Sequence, residues 1–184
     1  MTRYGFDYTP AQAGQIADAS LRDVISLPAH VANDDIGKSD GPIAFGYPVQ
    51  ALVTADTNEA YVKVVNSLSN KIIGIATFSH CRENEKSNQD ETASRDAFYL
   101  NKDVVSVLSK GRIWVYVSVD VKEGDIAYII EPDNGDGITS FSNVYLVFPK
   151  EIGIFMSNSI TVGGRKIAIL EFDLSAHAVE RFGL

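Results

Sequence analysis

Between Ile113 and Asp120 the chain alternates strictly. Ile113, Val115, Val117 and Val119 occupy one set of positions, and Trp114, Tyr116 and Ser118 the other. A period of two sends these sets to opposite faces of a strand. One face is aliphatic and suits a core; the other carries two aromatics. The same Val-, Ile-, Tyr- and Phe-rich texture recurs in VQALVT, YVKVVNSL, KIIGIATFS, DVVSVLS, DIAYII, VYLVFP and RKIAILEFD. Turn residues bound these runs, so each predicts a strand. No convincing amphipathic helix separates them, and no repeat of solenoid or propeller period is present. The expected fold is all-β: an antiparallel β-barrel or sandwich core.

Where this texture stops, other elements are expected. Residues 1–48 carry four of the six prolines (Pro10, Pro28, Pro42, Pro48) and short apolar bursts, among them Tyr4, Phe6 and Tyr8. They read as an extended N-terminal arm with short strands. A helix over Ala11–Leu21 is weakened by Gly14. Residues 49–174 form the β-rich core, and 175–184 a tail. A long polar insert loop, about 82–103, interrupts the core; from Arg82 to Arg95 it holds almost no apolar residue. Three stretches predict tight turns: SKGR at Ser109–Arg112, VKEGD at Val121–Asp125, and VGGRK at Val162–Lys166. The first and third are basic, as turns that shield sheet edges often are.

Composition narrows the chemistry. The chain has 184 residues, a length that suits one domain, and 45% of them are hydrophobic, enough for a sizeable core. Its net charge of −8 repels phosphate backbones, so nucleic acid is not an expected partner. Neither a membrane-spanning run nor a leader-like start is present, and the expectation is a chain made in a cytoplasm. The single cysteine, Cys81, permits no internal disulfide and no cysteine-based zinc site. His80 beside it would point to the other face of a strand, which makes a poor dyad. His30, His80 and His177 lack metal-ligand spacing. PDNGDG fails as a calcium loop: counting from Asp133, Gly135 falls at the third position and Val144 at the twelfth. The expectation is no catalytic residue, no cofactor and no metal.

A series of short blocks then stands in order: PAQAGQIAD (Pro10–Asp18), DVISL (Asp23–Leu27), IAFGYPV (Ile43–Val49), IIGIATFSH (Ile72–His80), DVVSVLSKGRIWVYV (Asp103–Val117), VKEGDIAYI (Val121–Ile129) and VGGRKIAILEF (Val162–Phe172). Together they resemble the capsid cement, or head decoration, proteins of tailed bacteriophages. The resemblance covers most of the chain. The polar stretch 82–101 and the Asp34–Gly41 loop are larger than the family pattern.

The resemblance implies a non-enzymatic virion protein, made in the host cytoplasm, that binds major capsid protein on the outer surface of the head. It implies self-association too, with a homotrimer favoured over a dimer. Candidate capsid or subunit contacts are Tyr4, Phe6, Tyr8, Ile16, Phe45, Tyr47, Trp114 and Tyr116. One alternative is a β-rich carbohydrate- or host-surface-binding module, with Trp114 and Tyr116 stacking on sugar rings. Another is a small β-barrel enzyme whose site is assembled only by the fold.

Overall fold

The structure, a computed structural model, describes residues 11–32, 34–35, 37–53, 59–69, 71–78, 98–129, 136–138, 140–145 and 150–174. Among these residues every regular element is a strand: β1 (Ile16–Pro28), β2 (Ile43–Ala44), β3 (Pro48–Val53), β4 (Ala60–Val64), β5 (Ile72–Ala76), β6 (Phe98–Tyr99), β7 (Val104–Tyr116), β8 (Ile126–Ile129), β9 (Lys150–Phe155), β10 (Ile160–Val162) and β11 (Arg165–Asp173). The all-β expectation holds. Nine strands form one curled antiparallel sheet in the order β4-β3-β5-β7-β11-β9-β8, with β1 added on β7 and β10 on β11; β2 and β6 pair separately.

The organising element is β7. One of its edges carries β1 along almost its whole length. The other carries β5 first and β11 afterwards. Thus Val107 lies opposite Ile25 of β1 and Ala76 of β5, while Ile113 lies opposite Ile16 of β1 and Leu170 of β11. The sheet therefore divides at β7 into two curled lobes. A bridge between Ala29 and Val62 draws the end of β1 onto β4. Bridges Val117–Phe141 and Tyr128–Ser142 link β8 back to β7.

Each lobe holds its own core. Val105 and Val107 pack with Val49, Ala51, Val62, Val64 and Ile73. Leu108, Ile113, Val115 and Val117 pack with Ile129, Phe155 and Leu170. The strands between the cores are apolar on both faces, which is why β5 reads as the unbroken run IIGIA: Ile72 and Ile75 serve one core, Ile73 and Ala76 the other. Burying each such side chain contributes about 1.5–3 kcal/mol. The exposed ion pairs contribute at most about 1 kcal/mol each. The two cores hold the fold.

Ser109–Arg112 is not the turn the sequence suggests. It lies inside β7. Leu108 and Ile113 both face the second core, although five positions apart in a regular strand would send them to opposite faces. From Leu108 to Lys110 β7 advances two residues while β1 advances one, from Val24 to Asp23. This is a β-bulge. Its buried Ser109 donates its hydroxyl to the Asp23 carbonyl at 3.1 Å, and Gly111 has φ 137°, a backbone shape that glycine supplies freely. The runs DVVSVLS and RIWVYVSVD are one strand: β11 pairs without a break from Tyr116 across Arg112 and Gly111 to Lys110, and β1 pairs on both sides of the bulge.

Other expectations shift locally. The helix over Ala11–Leu21 is not formed: Gly14 turns with φ 82°, and β1 starts at Ile16. VYLVFP is not a strand at Val144 and Tyr145, and its remainder lies outside the described residues. β9 and β10 were not foreseen, and β1, within the stretch expected to hold short strands, runs to thirteen residues. In β9 the apolar pattern of KEIGIF is interrupted by Gly153, whose Cβ would lie 2.0 Å from the Glu171 carbonyl oxygen. The VKEGD and VGGRK turns are present, with positive φ at Gly124, Gly163 and Gly164. The last residues of the expected insert are ordered into the first lobe, since Phe98 and Tyr99 of β6 are buried against β2.

Candidate assembly surface

Tyr4, Phe6 and Tyr8 lie outside the described residues, as do His80, Cys81, His177 and insert residues 82–97. Ile16 sits opposite Ile113 and packs, partly buried, against the second core. Phe45 and Tyr47 are 6% and 4% exposed, so both belong to the interior of the first lobe. Phe45 meets Phe78 and Tyr99 edge-on, with ring centroids 5.1 and 5.3 Å apart. These aromatics flank the β2–β3 turn, where Gly46 has φ 82°.

That turn meets the start of the chain. A Cβ on Gly14 would lie 2.6 Å from the Cβ of Phe45 and 2.9 Å from the Gly46 nitrogen. The Gly14 N–H donates to the Trp114 carbonyl at 2.7 Å, and the Phe78 N–H donates to the Gly14 carbonyl at 2.7 Å. PAQAGQIAD, IAFGYPV, IIGIATFSH and RIWVYV thus converge on one junction, although far apart in sequence. It ties Gly14 to β7, to the β2–β3 turn and to the residues after β5.

Trp114 and Tyr116 are half-buried, on the face of β7 away from Ile113 and Val115. Tyr116 packs on the first core and meets the Tyr47 ring edge-on at 6.3 Å. The Arg165 guanidinium lies 5.1 Å above its centroid, a cation–π contact. Tyr47, Tyr116, Ser118, Ser140, Arg165 and Lys166 line an open cavity of about 390 Å³. With one ring face under Arg165, Tyr116 offers a sugar little stacking area. Lys166 pairs with Asp120 at 3.0 Å, and this lowers the Asp120 pKa.

The basic residues of the bulge are matched by neighbouring acids. Lys110 pairs with Asp173 at 2.7 Å, which raises the pKa of its ammonium group. Arg112 binds Glu171 and lies 3.6 Å from Asp18. These are cross-strand pairs on the sheet surface, not an anion cradle. In the VKEGD turn the Asp125 carboxylate accepts the Lys122 N–H at 2.9 Å and the Asn143 amide at 2.6 Å. Both bonds favour its charged form, and its pKa lies below the ordinary carboxylate value.

One apolar area was not singled out by the sequence. Ile126 and Ile154 lie directly opposite each other on β8 and β9 and are 42% and 47% exposed. Tyr145, 75% exposed, meets Tyr128 edge-on at 5.6 Å. The alternation of DIAYII does mark two faces, but not which of them, Ile126–Tyr128 or Ala127–Ile129, would be covered. Among the described residues no group of His, Cys, Asp and Glu is arranged to hold a metal ion. Nor is any helix there long and apolar enough to cross a membrane.

The comparisons with known proteins agree with this architecture. No curated protein matches the chain. A chain from the structure titled "The capsid of Myoviridae Phage XM1" shares the fold with a TM-score of 0.54 at 17% identity, over 89% of this chain and 91% of that one. The family model described as "Structural cement protein (E217 gp24/Pam3 gp6)" matches residues 1–171. That match spans the first ten residues, the Gly14 junction and nearly all of both lobes, and the chain therefore belongs to the phage structural cement protein family.

Proposed function

We propose that this protein decorates a bacteriophage capsid from outside and stabilises it without catalysis, by bridging major capsid protein subunits. The family match over residues 1–171 carries the reading. The acidic balance supports it, since a net charge of −8 suits a surface that does not meet packaged DNA. So does the two-lobed sheet, in which Gly14 is held between β7 and the β2–β3 turn. In this reading the protein acts as a homo-oligomer, a trimer before a dimer. Many modest contacts, repeated around the shell, sum by avidity.

The contacts assigned to the shell or to a sister subunit are Tyr4, Phe6 and Tyr8 on the arm, with Ile16, Trp114 and Tyr116 beside the junction. Phe45 and Tyr47 act from beneath, by fixing the junction and the Tyr116 ring. Deleting residues 1–10 tests this while sparing Gly14 and β1. The truncated protein is expected to unfold cooperatively as before and to bind cement-free heads at least about tenfold more weakly, read by sedimentation of heads with bound protein. Unchanged binding would remove the arm from the mechanism.

A further inference from the structure

The basic VGGRK turn closes the β10–β11 hairpin and also walls the open cavity at the end of β7, where Tyr47, Tyr116, Ser118, Ser140, Arg165 and Lys166 meet. Two of the residues lining this cavity are cations and none is acidic. Lys166 pairs with Asp120, which is not part of the lining and also accepts the Ser159 hydroxyl at 3.3 Å. Counting Asp120, these residues carry two positive charges and one negative, on a chain whose net charge is −8. The walls are held by the backbone. Val117 N–H donates to the Lys166 carbonyl at 3.0 Å, Phe141 N–H to the Tyr116 carbonyl at 2.9 Å, and Ser118 N–H to the Phe141 carbonyl at 3.0 Å. A Cβ on Gly164 would meet nothing within 4 Å, so the turn does not crowd the mouth. Arg165 is exposed, and its guanidinium is seated on the Tyr116 ring. Stacking engages the face of a guanidinium, whereas its N–H donors lie in its plane. A charge seated in this way loses less freedom on binding than one on a waving side chain.

These groups select an oxyanion, and a carboxylate matches the planar donors of Arg165. A small free anion is a poor occupant, because an open cavity covers little of it. A nucleic acid is a poor occupant too, because its phosphates would run on over an acidic surface. A single carboxylate carried by a protein partner needs only the cavity, and the rest of the interface keeps it there. An arginine seated on an aromatic ring is the kind of anchor in which protein interfaces concentrate binding energy. A second copy of this chain brings its own net charge of −8 and is repelled as a whole. The shell is the partner on which a structural cement protein acts. We propose that the cavity at the end of β7 receives a Glu or Asp side chain of the shell protein, with its carboxylate bound by Arg165 and Lys166. This deepens the capsid binding proposed above and rests on it.

The test compares wild type with the double variant Arg165→Gln/Lys166→Gln for binding to cement-free heads, read by sedimentation over a range of salt concentrations. The variant is expected to keep a cooperative thermal melt, to bind at least about tenfold more weakly, and to show a shallower salt dependence. Lys110→Gln/Arg112→Gln removes the same charge from the β7 bulge and should bind within about twofold of wild type. On heads whose carboxylates have been amidated with a carbodiimide and ethanolamine, wild type and the Arg165/Lys166 variant should bind alike. Equal binding of these two proteins to untreated heads would overturn the proposal. So would an equal loss in both double variants, because net charge and not the cavity would then be at work. A gap that persists on amidated heads would show that the partner group is not a carboxylate. Self-association of the free wild type that the Arg165/Lys166 variant loses, read by sedimentation equilibrium, would make the occupant a second copy and overturn the proposal too. A wild type that does not bind heads at all would instead defeat the capsid function itself, and this site with it.

Discussion

Gly14 shows how much one missing side chain can decide. Its φ of 82° is costly for any residue with a Cβ, and a Cβ there would enter the space of Phe45 and Gly46. Gly46, at φ 82°, meets Ala13 in the same way. Neither neighbour yields easily, because the closest atoms are backbone or Cβ atoms. Gly14→Ala is therefore expected to destabilise the protein by about 1–3 kcal/mol, measured by urea denaturation. At Gly124, where nothing lies within 4 Å of an added Cβ, only the backbone term applies and the cost should be smaller.

At the scale of the element, the bulge in β7 matters more than any of its side chains. It lets one thirteen-residue strand serve two cores, by changing which alternate positions face which side. Val105 and Val107 face the first core; beyond the bulge, Ile113 and Val115 face the second. Deleting Ser109 would turn one half of β7 over, in the manner of a one-residue register slip. Ile113, Val115 and Val117 would leave their core, or the pairing with β11 would break. The expected outcome is loss of the cooperative melt and of the near-UV circular dichroism of Trp114. A deletion variant with native near-UV signal would show that the bulge is dispensable. Lone glycines inside strand patterns are known markers of bulges, yet KGR between two strand-like runs is equally the pattern of a hairpin. Only the partner strands separate the two readings: β11 pairs continuously across the site, and β1 does not.

At the scale of the molecule, the two lobes share β5 and β7 as a common wall, so neither core can open without exposing the other. The protein should unfold in a single transition. Val62→Ala in the first core and Leu170→Ala in the second should each lower its midpoint, the leucine by about 2–5 kcal/mol in stability, without splitting it. Differential scanning calorimetry checks this: separate transitions in either variant would mean independent lobes.

Much of this was legible in the residues. The alternation of 113–119 assigned Ile113, Val115 and Val117 to a core, because a period of two leaves one face for burial. RKIAILEFD marked β11 residue for residue, and the glycines of VKEGD and VGGRK marked true turns, because positive φ is a local demand. The ordered blocks pointed to the family, whose match covers residues 1–171. What lay beyond the sequence was decided by contacts between distant segments. Whether Lys110-Gly111-Arg112 turned or continued depended on β11, some sixty positions away. Whether Phe45 and Tyr47 lay outside or inside depended on β5, β6 and the Gly14 junction. That Ile126 and Ile154 meet on an open face depended on pairing β8 with β9. Side-chain periodicity specifies two faces to every strand; only the packed sheet determines which of them reaches water.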